Sequence, residues 1–234
     1  MRVPFVSGLM TAAAFVGFVG IVAVSHPDTP LPDAWNPTKP LLVSDPRTLL
    51  TPLKAHIAAG SFESCVAALD QSTLYALPPL EVSDACGIRD RVRLERVGGM
   101  LMSPVETNCA VALRLALWEQ HGLQEAAERH LGARVEQLEH LSSFSCRRIR
   151  TSRGEADQMS THATARAIDV TGFQLSDGRT LNLRDDWGRS DEVGAFLRAA
   201  QATACDWFGG VLGPDFNALH ADHFHMQVQG GFCR

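Results

Sequence analysis

The sequence HFHMQVQ at residues 223–229 alternates polar and apolar side chains, which is the pattern of a half-buried β-strand. Side chains at positions i and i+2 of a strand lie on the same face, so His223 and His225 are expected to share the polar face. A third histidine, His220, precedes them in the run HADHFH. This concentration of imidazole groups predicts a chemically active site on the polar face of the strand.

A second segment, STHATARAID at residues 160–169, supplies further metal-binding side chains. A catalytic zinc site needs about three protein ligands with nitrogen or oxygen donors, and it keeps an open position for water. His162, Asp169 and His225 form such a set. The sequence therefore predicts one Zn²⁺ ion as cofactor, with the other two histidines of HADHFH beside it.

Residues 219–225 contain no glutamate, so the general base of such a site has to be His223, His220 or Asp222. Zinc lowers the pKa of a bound water toward 7, and an imidazole of similar pKa can act as general base and then as general acid. His223 is predicted in this role because it shares the strand face with His225. Asp222 is either the base or a carboxylate that fixes a histidine tautomer. His220 is either a second catalytic group or a loop histidine.

The composition excludes several classes of protein. The 234 residues are 45% hydrophobic and 20% charged, as in an ordinary globular domain. The net charge of −5, without any block of basic residues, argues against nucleic acid as a partner. The chain lacks HExxH, GxSxG, P-loop and GxGxxG motifs. No feature of the sequence determines the oligomeric state.

The N-terminus is apolar and then rich in proline. The run Val3–Val24 carries no charge and is about 22 residues long, whereas ~20 residues span a bilayer as a helix. Residues 1–24 are therefore predicted to be a transmembrane signal anchor in the cytoplasmic membrane, single-pass, with the domain on the extracytoplasmic side because Arg2 precedes the run. The alternative is a signal peptide cleaved near Ala23-Val24-Ser25. Residues 25–40 contain five prolines, which predicts a semi-rigid stalk. Residues 41–234 are predicted to form the globular domain.

The chain has six widely spaced cysteines and no CxxC pair, which fits disulfides in an oxidising compartment better than a redox motif or a zinc knuckle. Three disulfides leave fifteen possible connectivities. The candidates are Cys65, Cys86, Cys109, Cys146, Cys205 and Cys233.

Helical and strand patterns intermix along the chain without regular βαβ alternation, which predicts an α+β fold with a small antiparallel sheet flanked by helices. The clearest helix covers residues 108–120 and has Asn108 as its N-cap. Further helices are predicted at 123–131 and from Ser190 or Asp191 to about 206, with strands at 135–141 and 167–173. The 223–229 strand closes the domain.

The order of the motifs resembles a known superfamily. The pattern SxH, six residues, Asp, and later HxH is similar to the signature of the lysostaphin, D-Ala-D-Ala metallopeptidase and hedgehog superfamily, and within it to that of the bacterial extensin-like C-terminal domain family. The resemblance covers about 170 residues, from Cys65 to Arg234. The stretches that carry it are FSCR at 144–147, STHATARAID at 160–169, CDWFGGVLGP at 205–214, HADHFH at 220–225 and CR at 233–234.

The resemblance implies that the second histidine of HxH is the third metal ligand, and that a metal-activated water hydrolyses an amide bond in peptidoglycan peptides. Arg147, in the CR motif, would bind a substrate carboxylate or stabilise the oxyanion, or it forms a structural salt bridge. Ser160 would hydrogen-bond the substrate, or it forms a turn. The alternative function is a non-catalytic metal-binding or cell-wall-binding envelope module, as in the hedgehog branch.

Two further expectations come from the resemblance. Members of the superfamily usually carry glycine where this chain has Ala165, a position at which a tight backbone would disfavour a Cβ. Cys146 and Cys205 both lie in the segments that carry the resemblance, and they are expected to pair.

Overall fold

The computed structural model describes residues 4–26 and 29–234. Residues 1–3 of the predicted membrane anchor and 27–28 of the predicted stalk lie outside this part of the chain. The helices are α1 (Pro4–Ser25), α2 (Thr51–Ala58), α3 (Phe62–Ala68), α4 (Cys109–Trp118), α5 (Gln124–Leu131), α6 (Leu183–Asp186) and α7 (Glu192–Ala204). A π-helical turn over Glu119–Leu123 joins α4 to α5, and short 3₁₀ turns cover Asp33–Trp35, Thr161–Thr164 and Ala218–His220.

Within residues 4–26 and 29–234, thirteen strands form one large sheet and two hairpins. The strands are β1 (Thr73–Ala76), β2 (Leu80–Ser83), β3 (Cys86–Ile88), β4 (Arg91–Val97), β5 (Met100–Asn108), β6 (Val135–His140), β7 (Arg148–Thr151), β8 (Gly154–Met159), β9 (Ala167–Leu175), β10 (Thr180–Asn182), β11 (Gly210–Leu212), β12 (Phe224–Gln227) and β13 (Phe232–Cys233). The nine-stranded sheet has the order β1-β4-β5-β6-β9-β12-β11-β13, and β10 pairs with β9 outside this path. The pairs β2–β3 and β7–β8 form separate two-stranded sheets.

The α+β class agrees with the sequence prediction, but the prediction of a small antiparallel sheet is wrong. The sheet is large and mixed, because β5 pairs in parallel with β6 and β11 pairs in parallel with β13. The first of these parallel pairs follows from the α4–α5 connection, since a long crossover returns the chain in the same direction. Several of the added strands have only two to four residues, which is too short for an alternating pattern to identify them.

The core lies between the sheet and the helices α4, α5 and α7. Trp118 on α4 is fully buried, and its indole Nε1 donates to the carbonyl oxygen of Ala200 on α7 at 3.1 Å. Its ring meets Phe173 of β9 with 6.2 Å between centroids, and Phe173 in turn meets Phe196 of α7 at 5.4 Å. These contacts fix β9 against the helices, so the face of β9 that carries Asp169 is held rigidly.

The prediction of an N-terminal transmembrane helix is wrong. Residues Pro4–Ser25 do form one helix, and its larger described side chains, such as Phe15, Phe18 and Ile21, are exposed. Within the part of the chain that the structure describes, no helix combines the length and the apolar character needed to cross a membrane.

The described part of the Pro-rich segment contacts the domain. Ala34 and Asn36 are buried, and the carbonyl oxygen of Ala34 accepts a hydrogen bond from Thr48 Oγ1 at 3.1 Å. Lys54 Nζ of α2 donates to the carbonyl oxygen of Asp33 at 2.6 Å. Residues 33–36 therefore pack on α2 and the segment before it.

All six cysteines are paired, as Cys65–Cys109, Cys86–Cys146 and Cys205–Cys233. Three disulfides indicate an oxidising, extracytoplasmic compartment. The expected Cys146–Cys205 pair is wrong. Cys146 instead ties the segment before β7 to the β2–β3 hairpin, and Cys205 at the end of α7 is bridged to the C-terminal strand β13.

Candidate metal centre

The strands β9 and β12 pair antiparallel, and their register places Asp169 directly opposite His225. On both strands the flanking side chains point the other way: Val170 and Phe224 are fully buried in the core. Alternation along each strand therefore leaves Asp169 and His225 side by side on the opposite face of the sheet. This is the arrangement that the alternation in residues 223–229 predicts.

His162 comes from the 3₁₀ turn Thr161–Thr164, which begins with a serine cap. Ser160 Oγ accepts a hydrogen bond from the His162 backbone N–H at 3.3 Å. The imidazole is 2% exposed, and its Nδ1 lies 3.0 Å from the carbonyl oxygen of Ser143. Ser143 is itself fixed, because its hydroxyl donates to the Ala167 carbonyl oxygen at 2.6 Å. A buried, hydrogen-bonded loop thus sets the orientation of the His162 ring.

The three predicted ligands meet at one point. His162 Nε2 lies 3.1 Å from His225 Nδ1 and 3.2 Å from Asp169 Oδ1, and His225 Nδ1 lies 2.9 Å from Asp169 Oδ1. Within the described residues, His162, Asp169 and His225 form a group that could hold a metal ion. Atoms this far apart fit around one ion with ligand distances of ~2.0–2.2 Å.

The outer nitrogens of both histidines face hydrogen-bond acceptors. His162 Nδ1 faces the Ser143 carbonyl, and His225 Nε2 lies 3.0 Å from Gln227 Oε1. A nitrogen that faces an acceptor carries the ring's hydrogen in a neutral imidazole, so the inner nitrogens present lone pairs. Two lone pairs and a carboxylate oxygen then converge with no hydrogen among them. A cation relieves this repulsion, and the residues present therefore fit a metal ion.

The electrostatics of Asp169 agree with this arrangement. Burial of the carboxyl group raises its pKa, but the imidazole groups of His162 and His225 beside it outweigh that effect and hold the pKa well below its usual range. Asp169 is therefore ionised at neutral pH. An ionised carboxylate beside two imidazoles is a ligand set that zinc prefers.

Gln227 connects the two segments that bear the ligands, and the sequence analysis did not identify it. Its Oε1 accepts from Thr161 Oγ1 at 3.1 Å and faces His225 Nε2, while its Nε2 donates to the Gln229 carbonyl oxygen at 2.6 Å. These contacts leave Oε1 as the acceptor for His225. The alternation of the strand could have identified Gln227 from the sequence, because it stands two residues after His225 on the same strand face.

His223 lies beside the ligand group and is not part of it. The side chain is 9% exposed, its Nδ1 lies 2.8 Å from Asp222 Oδ1, and its Nε2 lies 3.7 Å from Asp169 Oδ1. Hydrogen bonds with His223 and then with Arg184 lower the pKa of Asp222, so this carboxylate is ionised and accepts from Nδ1. In the neutral tautomer with its hydrogen on Nδ1, His223 presents the lone pair of Nε2 on the side of Asp169. Arg184, on α6, was not anticipated from the sequence.

The remaining candidate residues surround this group. The His220 ring lies 5.3 Å from the His223 ring and 5.9 Å from the His225 ring. Burial, followed by the neighbouring histidines, lowers the pKa of His220 to about 4, so this imidazole is neutral at pH 7. Arg147 also lowers that pKa, which places its guanidinium within electrostatic range of the site, and its Nη1 donates to the Arg148 carbonyl oxygen at 3.2 Å. The Ser160 hydroxyl is the cap of the His162 turn.

Ala165 closes the turn after His162 in the left-handed conformation, with φ 48° and ψ 35°. It is the one non-glycine residue with positive φ in the described part of the chain. Its N–H donates to the His162 carbonyl oxygen at 3.0 Å, and the residue is fully buried. The resemblance implied glycine at this position, and the backbone conformation is the one that glycine adopts without strain.

The comparison with family models identifies the family of the chain. Residues 63–234 match the model of the extensin-like protein C-terminus, which is well over half of the chain. The chain therefore belongs to the extensin-like C-terminal family. No curated protein and no solved structure gave a significant match.

Proposed function

We propose that the chain is a zinc-dependent hydrolase that cleaves an amide bond in peptidoglycan peptides. The observation that carries the proposal is the convergence of His162 Nε2, Asp169 Oδ1 and His225 Nδ1 within 2.9–3.2 Å of one another. Two nitrogens and one oxygen from protein are the ligands of a catalytic zinc site, whereas structural sites take four protein ligands. The motif order that resembles the metallopeptidase superfamily supports the substrate class, and the disulfides support an extracytoplasmic location.

His162, Asp169 and His225 would hold the ion. When bound, the ion would supply Lewis acidity toward the amide carbonyl and toward the attacking water. The protein holds the three ligands in place before the ion binds, because Ser143 and Gln227 fix both imidazole rings from behind. Preorganised ligands of this kind raise metal affinity and set the orientation of the reacting groups.

His223 is the general base in this proposal. Asp222 accepts the hydrogen of His223 Nδ1, so Nε2 is free to take the proton from the attacking water and later to return it to the leaving amine. Arg184 contacts Asp222 from the other side and holds the carboxylate in position. The three residues form a chain of hydrogen bonds that ends at the metal centre. His220 is neutral and stands beside His223, where it would hydrogen-bond the substrate.

We assign contact with the substrate to Arg147. It lies within electrostatic range of His220 and forms no ion pair with a described carboxylate. A guanidinium without an acidic partner at the edge of a catalytic centre binds a peptide carboxylate or stabilises the oxyanion. Peptides of the cell wall carry such carboxylates.

The proposal is tested by incubating the purified full chain with muropeptides, with and without a chelator, and by identifying the products by mass spectrometry. The expected result is a pair of products whose masses add up to that of the muropeptide plus one water, which disappear with the chelator and return with added zinc. A zinc-loaded protein that turns over no muropeptide in the panel would overturn catalysis and favour a binding module.

A further inference from the structure

A cleft of ≈ 780 Å³ is lined by none of the three candidate metal ligands. Its walls are the β2–β3 hairpin, the start of α4 and the far end of the turn that carries His162. The cleft has the size of a small-ligand site. Its inner end is formed by the buried Asn108 and the half-buried Arg166, whereas Thr164 beside them is exposed.

Asn108 presents an amide donor to this cleft. The residue is 4% exposed, and its Oδ1 accepts from the Ala110 N–H at 3.0 Å as the cap of α4. That bond fixes the orientation of the amide, so the NH₂ group is left without a hydrogen-bond partner among the described residues. Since Asn108 lines the cleft, a ligand there would meet two N–H donors of a nearly buried side chain.

Arg166 adds an unpaired positive charge. It lines the cleft, forms no ion pair with any carboxylate in the described chain, and its Nε is buried without a hydrogen-bond partner. Arg114, on α4, shows the same two properties and donates from Nη1 to the Ala110 carbonyl oxygen at 3.2 Å.

The two arginines lie near each other. The Asn108 backbone N–H donates to the Ala165 carbonyl oxygen at 3.1 Å, so the residue before Arg166 is bound to the cap of α4. Arg114 donates to the Ala110 carbonyl oxygen in the first turn of the same helix. Burial, and then repulsion by Arg166, lowers the pKa of Arg114. Arg114 does not line the cleft; it borders a separate cavity of ≈ 200 Å³ behind α4.

We propose that the inner end of this cleft binds a carboxylate or phosphate group of a ligand. The Arg166 guanidinium and the Asn108 amide would donate to its oxygens, and Arg114 would add positive charge from behind. Hydrogen-bond donors and cations that lack protein partners are stabilised by an anion, and a guanidinium matches the geometry of both groups. Carboxylates line only the exposed rim, at Glu81, Asp84 and Asp90, where the exposed Arg89 also stands. The ligand would therefore be anionic at its inner end, where no carboxylate lines the cleft.

The proposal does not rest on the proposed hydrolase activity. It is tested on the full chain by calorimetric titration with inorganic phosphate and, separately, with acetate, each at constant ionic strength set by chloride. Saturable binding is expected for at least one of the two, and the better ligand identifies the chemical source. The His225→Ala variant should retain this binding, which separates the cleft from the metal centre.

Two variants make the assignment specific. Arg166→Gln should weaken binding by at least ~10-fold, since it removes the charge that contacts the anion. Asn108→Asp keeps an N-cap acceptor for α4 and replaces the donor by a carboxylate, so it should abolish binding while the protein stays folded. Glu81→Gln at the rim is the matched control and should leave binding unchanged or slightly tighter. Absence of binding by both anions, or equal binding in the Arg166 and Asn108 variants, would overturn the proposal.

Discussion

Asp169 on β9 and His225 on β12 are direct cross-strand partners, and the Oδ1 of one lies 2.9 Å from the Nδ1 of the other. Two ligands of the candidate metal centre are therefore fixed by the register of a buried sheet. A slip of β12 by one residue would turn His225 into the core and leave Asp169 without its partner. The third ligand, His162, is brought to them by a turn in which Thr161 Oγ1 donates to Gln227 Oε1 on β12.

The first prediction concerns metal binding. The purified full chain should bind one zinc ion, and His225→Ala and Asp169→Ala should each lose it, because two remaining ligands cannot hold the ion tightly. The loss should also lower thermal stability in the presence of zinc, since binding to the native state is itself stabilising. Metal content by elemental analysis and melting curves with and without zinc check this. His56→Ala, an exposed histidine on α2, is the control, and an equal loss of zinc there would contradict the site.

The second prediction separates metal binding from catalysis. His223→Ala should retain zinc stoichiometry, because His223 is outside the ligand group, and should lose muropeptide hydrolysis by ~10²–10⁴-fold if His223 is the general base. Asp222→Asn should lose less, since it leaves the imidazole in place and removes only the fixed acceptor for Nδ1. Unchanged turnover in the His223 variant would transfer the role of base to His220 or Asp222.

The third prediction concerns Gln227. Replacing it by Leu removes the acceptor that holds the hydrogen of His225 on Nε2 and also the link to Thr161. Zinc affinity should fall by ~10–100-fold, as for other groups that orient a metal-bound histidine. Competition titration against a chromophoric chelator measures this. Gln229→Leu, an exposed side chain on the same segment, should bind zinc like the unmodified chain, and an equal loss there would point to a general effect on β12.

The sequence predicted the parts of the fold that depend on local chemistry. The α4 helix was predicted from its apolar periodicity, and its cap from Asn108, whose Oδ1 does accept from the Ala110 N–H. The metal ligands were predicted from the residue types and the order of two short motifs. They are brought together because Asp169 and His225 both lie on strands whose alternation is strong.

The parts that the sequence did not predict depend on distant contacts. The mixed sheet requires β5 to pair with β6, and no local feature of either strand predicts that pairing. The disulfide partner of Cys146 is Cys86, 60 residues earlier, on a hairpin that no clear pattern marks. The hydrogen bond from His162 to the Ser143 carbonyl likewise involves a backbone group, which any residue could supply.

The fourth prediction concerns Ala165. The left-handed conformation costs an alanine about 1–2 kcal/mol, which glycine would relieve. Two effects oppose this gain in stability. Glycine has greater freedom in the unfolded chain, which costs about 0.5–1 kcal/mol, and the variant loses the burial of one methyl group, which costs about 0.8 kcal/mol. Ala165→Gly should therefore change the free energy of unfolding by less than about 1 kcal/mol. Ala200→Gly, at a buried position inside α7, should cost about 1–2 kcal/mol because no strain is relieved there.

Urea denaturation of the two glycine variants, with disulfides intact, measures both changes. A loss in Ala165→Gly as large as that in Ala200→Gly would show that the position carries no backbone strain. If the ranking holds, zinc affinity of Ala165→Gly should also match that of the unmodified chain, because the turn keeps its hydrogen bonds to His162.

The fifth prediction is a pH dependence at the start of α7. Asp191 caps this helix, accepting from the backbone N–H groups of Val193 and Gly194, and it also pairs with Arg189. The hydrogen bond from Arg189 lowers the pKa of Asp191 to about 2. A carboxyl group with a depressed folded-state pKa stabilises the protein fully above its unfolded value of about 3.9, and this contribution is lost as the pH falls through about 2. Asp191→Asn keeps the cap and removes the charge, so it should be less stable than the unmodified chain at pH 6, and the difference should shrink steadily as the pH falls toward 2.

The difference at pH 6 should be small and should shrink with added salt, because the pair with Arg189 is exposed and solvent screens it. Melting temperatures of both proteins between pH 2 and pH 6, at low and high salt, measure it. Asp185→Asn, on the neighbouring α6, forms no such pair and should follow the unmodified chain at every pH. A difference at Asp191 that persists unchanged down to pH 2 would mean that the charge does not contribute, and the cap geometry alone would then account for the effect.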